Sequence, residues 1–198
     1  MIEATQDGDL LTLTLNRPDK ANALTSEMLE SLAVAVEDST ASVIVLTGMG
    51  GVFSAGADLD AARAGLATSP LWERLSGAIA NHAGLTIAAL NGTVAGGAMG
   101  MVLACDLRVG VAGAKFFYPV MKLGFLPQPS DPARMAALIG PARAKMILMA
   151  GQKIDAATAV DWGLLDRITD DPLAEAATLA ADALAAKAAH VAGIKALF

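Results

Sequence analysis

A chain of 198 residues, 55% hydrophobic and 17% charged, can bury a substantial core and is too apolar to remain unfolded. Its net charge of −6 argues against a broad nucleic-acid or anionic-membrane surface, while leaving room for a local basic pocket for a phosphorylated ligand. One cysteine excludes an internal disulfide and fits a reducing cytosol. The opening MIEATQDGDL has no basic region before an apolar run, so no signal peptide is expected. The longest apolar run, Thr93 to Cys105, is 13 residues, short of the roughly 20 that span a bilayer. These features predict one soluble, cytoplasmic domain over 1–198, with a core to about residue 168 and a C-terminal helix beyond it.

Taken in chain order, Leu10 to Asn16 (LLTLTLN) alternates apolar and threonine residues and predicts a half-buried strand. RPDKAN breaks it, and Thr25 or Ser26 can cap a helix running to about Asp38. The β-branched run Val43 to Thr47 (VIVLT) predicts a strand buried on both faces, ended by Gly48, Gly50 and Gly51. Leu85 to Asn91 repeats that pattern before Gly92, and Leu107 to Ala112 is a weaker third case. Helical spacing fills Leu71 to Ala80, Asp131 to Leu138, Ala142 to Met149 and Ala156 to Asp161, and Pro172 to Lys195 reads as one long helix. Strands alternating with helices predict an α/β fold.

Two of the buried strands end in glycine-rich turns that lead toward helices, TGMGGVFSAGADL and NGTVAGGAMG. Ligands in α/β proteins commonly sit at such turns. A dinucleotide fingerprint fails because Phe53 occupies the third glycine position after Gly48 and Gly50. A phosphate loop fails because Ala98 and Met99 follow Gly97, where lysine and a hydroxyl residue are needed. The nucleophile elbow is a near miss, since Ser54 and Gly56 are preceded by Val52 instead of glycine. A fourth arrangement fits better: one backbone N–H from each loop converging on a carbonyl oxygen, a site that needs small residues and no charges.

LNRPDKANAL, FSAGADL and LNGTVAGGAMGMVLACDLRV, followed by PVMKLGFLP and ILMAGQKIDAATAVDWGLLDRI, resemble the enoyl-CoA hydratase/isomerase (crotonase) superfamily in order and spacing from about Leu10 to Ile168. The resemblance implies a crotonase-like fold of repeated ββα units with sheets flanked by helices. It implies an acyl-CoA substrate, with coenzyme A as part of that substrate and no permanently bound cofactor. It assigns the two oxyanion-holding N–H groups to Ala57 and Gly97, and places the CoA moiety near Lys20, Ala21, Asp58, Leu59 and Asp60. Asp60 is the weakest of these, because a carboxylate is a poor neighbour for a phosphate and can simply start the next helix. A homotrimer or hexamer is implied as well. Family members usually continue with further helices that cover the acyl pocket, so the C-terminal helical region reads as shortened.

Family hydratases use two glutamates, and the same alignment puts Gly100 and Val120 in their places. Neither can move a proton, so hydration is disfavoured against isomerisation, decarboxylation, thioester cleavage or C–C bond chemistry. The alternative is a catalytically inactive acyl-CoA-binding or regulatory protein. Asp131 is the first candidate for a relocated acid or base, although Ser130 or Asp131 before Pro132 is a common helix start and the sequence favours a cap. Tyr118 could donate a hydrogen bond, but the Phe-Phe-Tyr run reads as core. His82 reads as solvated, Asp106 as structural, and Cys105 as a buried small hydrophobe. No Cys or His spacing suggests a metal.

Overall fold

The computed structural model describes residues 1–198 and divides them between two sheets. In the first, β1 (Ile2–Asp7) and β2 (Leu10–Leu15) pair antiparallel, and β3 (Val43–Gly48), β5 (Leu85–Leu90), β7 (Leu107–Gly110) and β10 (Arg167–Ile168) follow in parallel. The second has the order β4 (Val52–Ser54), β6 (Thr93–Ala95), β8 (Lys115–Phe117), β9 (Ile154–Asp155). From β3 to β8, consecutive strands alternate between the sheets. β3 and β4 lead to α2 (Leu59–Arg63), β5 and β6 to α4 (Ala98–Ala104), β7 and β8 to α5 (Val120–Leu123), giving the ββα repeat that the resemblance implies. The glycine turns therefore do not run straight into helices. VFS and TVA are themselves strands, pairing Val52 with Thr93 and Ser54 with Val94, and this lays the two glycine loops side by side.

Side-chain pattern explains the layers. β2 buries alternate residues, as its Leu/Thr alternation predicts, with Leu11, Leu13 and Leu15 facing the main core. Opposite them stand α1 (Ser26–Glu37) and α3 (Leu71–Asn81), which carry Met28, Leu29, Leu32, Trp72, Leu75 and Ile79 into the same core. Thr25 caps α1 by accepting from the Met28 N–H. β3 is buried along its whole length: Ile44 and Leu46 face the main core, while Val43 and Val45 join Ile87, Ala89 and Val109 on the other face. That second face is covered by Ala176 and Ala180 of α9 (Pro172–Ala185), whose small side chains let the helix lie close to the sheet.

α6 (Asp131–Ile139), α7 (Pro141–Leu148) and α8 (Ala156–Trp162) complete the body between β8 and β10. The long C-terminal helix expected from the alanine-rich tail is two helices. α9 stops at Ala185, Ala186 turns extended, and α10 (Ala188–Lys195) follows. No glycine or proline marks the break. What it achieves is tertiary: Lys195 Nζ reaches the Gly84 carbonyl at 3.0 Å and Asp106 Oδ2 at 2.7 Å. No helix is long and apolar enough to cross a membrane.

Candidate active site

In the first glycine loop, local pairing decides which amide is free. Leu24 bridges to Ala57, with the Leu24 N–H donating to the Gly56 carbonyl and the Asp58 N–H donating to the Leu24 carbonyl, both at 2.8 Å. The Gly56 N–H donates to Ser54 Oγ at 3.1 Å. A bridge of this kind uses the groups on either side of the paired residue and turns its own N–H away. Ala57 is left with an N–H that no group in the chain accepts, on a residue that is only partly buried.

The second loop has the same outcome. The Gly96 N–H donates to the Phe117 carbonyl at 3.1 Å, and the first helical bond of α4 is made by Met99. Gly97, at the N-cap of α4, keeps its N–H unpaired. The loops touch at their glycines. Gly56 has φ +91, and a methyl group built on it would lie 2.8 Å from the Ala95 carbonyl oxygen and 3.4 Å from Gly96 Cα. Only glycine fits there. The residues following Gly56 and Gly96, Ala57 and Gly97, are thus brought to one place, and Trp72 backs the second loop, its ring 3.1 Å from a methyl group built on Gly97.

One turn into α4, a methyl group on Gly100 would lie 2.9 Å from Asp131 Oδ1 and 3.2 Å from Oδ2. Asp131 is fully buried. Tyr118 donates its hydroxyl proton to Oδ2 at 2.9 Å, and Oδ1 has no partner. Burial pushes the Asp131 carboxyl up to about 6, helped by the negative charge of Glu73; the Tyr118 hydrogen bond and the nearby Arg134 pull the other way. The helix-cap reading of Asp131 is not what the structure contains. Ser130 is at the N-cap of α6, Asp131 is the first helical residue, and its carboxylate makes no cap bond. Glu73 of α3 holds that helix start instead, accepting from the Ser130 N–H at 3.3 Å and from the Ser130 hydroxyl. The space that Gly100 leaves open is filled by the carboxylate.

The sequence profile of enoyl-CoA hydratase/isomerase matches residues 5–198. The chain belongs to the enoyl-CoA hydratase/isomerase family. It is 34% identical over 185 residues to the Mycobacterium tuberculosis protein named "Probable enoyl-CoA hydratase echA6", covering 92% of this chain and 75% of that protein. It is 35% identical over 189 residues to echA14 of the same organism, covering 91% of this chain and 74% of that protein. Among solved structures, DspI of Pseudomonas aeruginosa superposes with a TM-score of 0.90 at 29% identity, over 99% of this chain and 85% of the other. An enoyl-CoA hydratase/isomerase from Pseudoalteromonas atlantica does so at 0.90 and 29%, over 99% and 81%. Homologues of this family act on CoA thioesters, and the chain is a crotonase-fold member of it.

The remaining family positions separate into those near the paired loops and those engaged elsewhere. Ala21 accepts from the Ala55 N–H at 3.0 Å, which ties the Lys20–Ala21 turn to the first loop and leaves Lys20 exposed with no ion-pair partner. Asp58 is taken up twice: its Oδ1 caps α2, accepting from the Asp60 and Ala61 N–H groups, and its Oδ2 pairs with Arg17 at 2.8 Å. The Arg17 hydrogen bond holds the Asp58 carboxyl below its ordinary value. Arg17, missed in the sequence, is thus the fastener of the residue after Ala57. Leu59 is exposed, and Asp60 faces solvent beside Arg63.

Val120 is 8% exposed and lines a cavity of about 580 Å³ with Pro127, Pro132, Ala136 and Leu148. Ser54 is fully buried and donates to the Asn22 carbonyl at 2.8 Å, with no histidine in reach, so the elbow reading ends there. His82 is 8% exposed, not solvated: its Nε2 lies 2.9 Å from the Ala41 carbonyl, and burial lowers its pKa. The Cys105 thiol is buried and pushed up to about 12 by desolvation. Asp106 accepts from the Thr86 N–H and hydroxyl and from Lys195, a structural junction.

Proposed function

We propose that the chain binds acyl-CoA thioesters and stabilises the enolate of the acyl group through the N–H groups of Ala57 and Gly97. The observation that carries this reading is the pair of unpartnered amides on two loops in contact. Aimed at one thioester oxygen, preorganised donors of this kind favour the charge that develops there. The CoA moiety lies along the Lys20–Ala21 turn and the Asp58–Asp60 segment, where Lys20 supplies a free cation for a phosphate.

Asp131 is the proton-transfer residue in this reading. With its carboxyl near 6 it is mostly ionised at pH 7 and still basic enough to work as a general base. Oδ1 takes a proton from the α-carbon, and the C–H electron pair moves into the thioester carbonyl. The same carboxyl then returns the proton, to the α-carbon or to a conjugated γ-carbon. This is proton-shift chemistry with one acid–base group. Gly100 and Val120 offer no second group to activate water, and the cavity beside Val120 suits an apolar acyl chain. Decarboxylation, thioester cleavage and C–C bond chemistry use the same enolate or oxyanion and remain the other reactions of this site.

The exposed apolar residues Met121, Leu123, Leu126, Met146 and Met149 support assembly into a trimer or a dimer of trimers. The reading is tested by offering a panel of CoA thioesters, including but-3-enoyl-CoA and crotonyl-CoA, and following products by mass spectrometry and proton NMR. Conversion of but-3-enoyl-CoA with hydration of crotonyl-CoA barely above background supports it. Rapid hydration contradicts the roles given to Gly100 and Val120. Tight binding with no conversion of any thioester favours the inert acyl-CoA-binding protein.

A further inference from the structure

The chain has a single tyrosine, and its hydroxyl meets the one buried carboxylate that has an oxygen to spare. Tyr118 is 4% exposed. Its phenol is held in place from two sides. The Gln128 N–H donates to its oxygen at 3.4 Å, and the preceding residue, Phe117, accepts from the Gly96 N–H at 3.1 Å. Gly96 immediately precedes Gly97. One short path, covalent except for that single backbone hydrogen bond, therefore runs from the second glycine loop to the group that grips Asp131.

The two carboxylate oxygens are not equivalent. Oδ2 is occupied by the Tyr118 proton, whereas Oδ1 is buried without a partner and is the atom nearest the place a side chain on Gly100 would take. A carboxylate free to rotate would exchange the two. A donor fixed on one of them leaves the other as the only base that substrate can meet. We propose that Tyr118 is a positioning residue, which fixes the Asp131 carboxylate by Oδ2 so that Oδ1 alone is presented at Gly100 beside the second glycine loop. The proposal rests on the reading of Asp131 as the proton-transfer residue and adds to it the element that aims the proton transfer.

The contact also tunes basicity. The groups acting on Asp131 are the Tyr118 hydroxyl from the segment before α5, Arg134 from α6 itself and Glu73 from α3; α4 offers only apolar side chains. A hydrogen bond to the ionised form favours that form. Removing the hydroxyl therefore raises the Asp131 pKa, and strengthening the donor lowers it.

Because Tyr118 is the only tyrosine, growth on 3-fluorotyrosine replaces that residue alone with a stronger donor of nearly the same shape. The experiment compares wild type, Tyr118→Phe and the fluorotyrosine protein. Two quantities are read against pH: the ¹³C shift of the Asp131 carboxyl in the free protein, and the rate of α-proton exchange of butanoyl-CoA in D₂O. The assignment of the carboxyl signal comes from Asp131→Asn. We expect the carboxyl midpoint and the acid limb of exchange to move together, upward in Tyr118→Phe and downward in the fluorotyrosine protein. The plateau rate of Tyr118→Phe should fall by about tenfold or more, as for a misaimed base, with KM for the thioester kept within about twofold. A carboxyl midpoint that moves while exchange stays fixed overturns the positioning role and leaves only a structural contact. Exchange in wild type with no acid limb, or no exchange at all, overturns the Asp131 reading together with the inference built on it. If Tyr118→Phe does not fold, the fluorotyrosine protein decides by the sign of its shift, and no shift in either quantity overturns the proposal.

Discussion

Gly100 and Asp131 are complementary: the side chain that one lacks is the space that the other fills, with a methyl group on Gly100 only 2.9 Å from Asp131 Oδ1. A buried carboxylate with an unpartnered oxygen is costly, and the proposed proton transfer gives that cost a chemical use. The same geometry has consequences for stability that need no substrate.

Asp131 weakens the fold as pH rises. Its carboxyl sits at about 6 in the folded protein against 3.8 ordinarily, so the folded state holds the proton more tightly than the unfolded chain. Below pH about 4 the group is protonated in both states; stability then falls as pH rises toward 6 and levels off above it, by about 3 kcal/mol in all. Asp131→Asn, neutral throughout, should gain on wild type by that amount between pH 4 and 8. Denaturant unfolding of both proteins across that range measures it, and a difference independent of pH contradicts the assignment.

Proline is the cleanest way to remove a backbone donor, and Gly97 accepts it better than most positions. Its φ of −59° already matches the proline ring, and the preceding residue is a glycine. The Trp72 ring must give by a few tenths of an ångström. Gly97→Pro should lose about 10²–10³-fold in turnover while binding unreactive CoA within about tenfold of wild type. Wild-type turnover in a folded variant would remove Gly97 from the site.

The Arg17–Asp58 pair should affect catalysis more than folding. Asp58 follows Ala57, so releasing it loosens the first loop where the Ala57 N–H is aimed. Arg17→Ala is expected to lower kcat by about tenfold with a smaller change in KM, and to let the Asp58 carboxyl return toward its ordinary value. Steady-state kinetics on the thioester that turns over checks this; an unchanged kcat assigns the pair to folding alone.

Assembly is checked by light scattering at micromolar concentration, where a trimer or hexamer is expected. Leu126 is 87% exposed among apolar neighbours, so Leu126→Glu should shift the distribution toward monomer. A wild-type monomer contradicts the oligomer.

The long strands were legible from their residue patterns: Leu/Thr alternation in β2, and a largely β-branched apolar run in β3. The second sheet was not, since VFS, TVA and KFF are three residues each, too short for alternation to register. The paired glycine loops could be read from motif order. The contacts that give them meaning could not. Asp131 lies 13 residues from Tyr118, and Arg17 lies 41 from Asp58, so only the fold brings them together. Asp131 before its neighbours' proline looked like a helix cap because capping is local, and local rules favour it until an open space such as that at Gly100 competes. His82 read as solvated from its position in a turn; the Ala41 carbonyl that buries it is 41 residues away.

An enolate formed and held at the site is measured most directly by α-proton exchange, which assumes no product. Butanoyl-CoA incubated with the protein in D₂O at pH 7.5 should gain deuterium at the α-carbon, seen as a mass increase in the acyl fragment. Asp131→Asn should slow the gain by about 10²–10⁴-fold, and Gly97→Pro should slow it as well. Exchange that persists undiminished in both variants, or a wild-type protein that binds the thioester and exchanges no proton, would contradict enolate formation at this site.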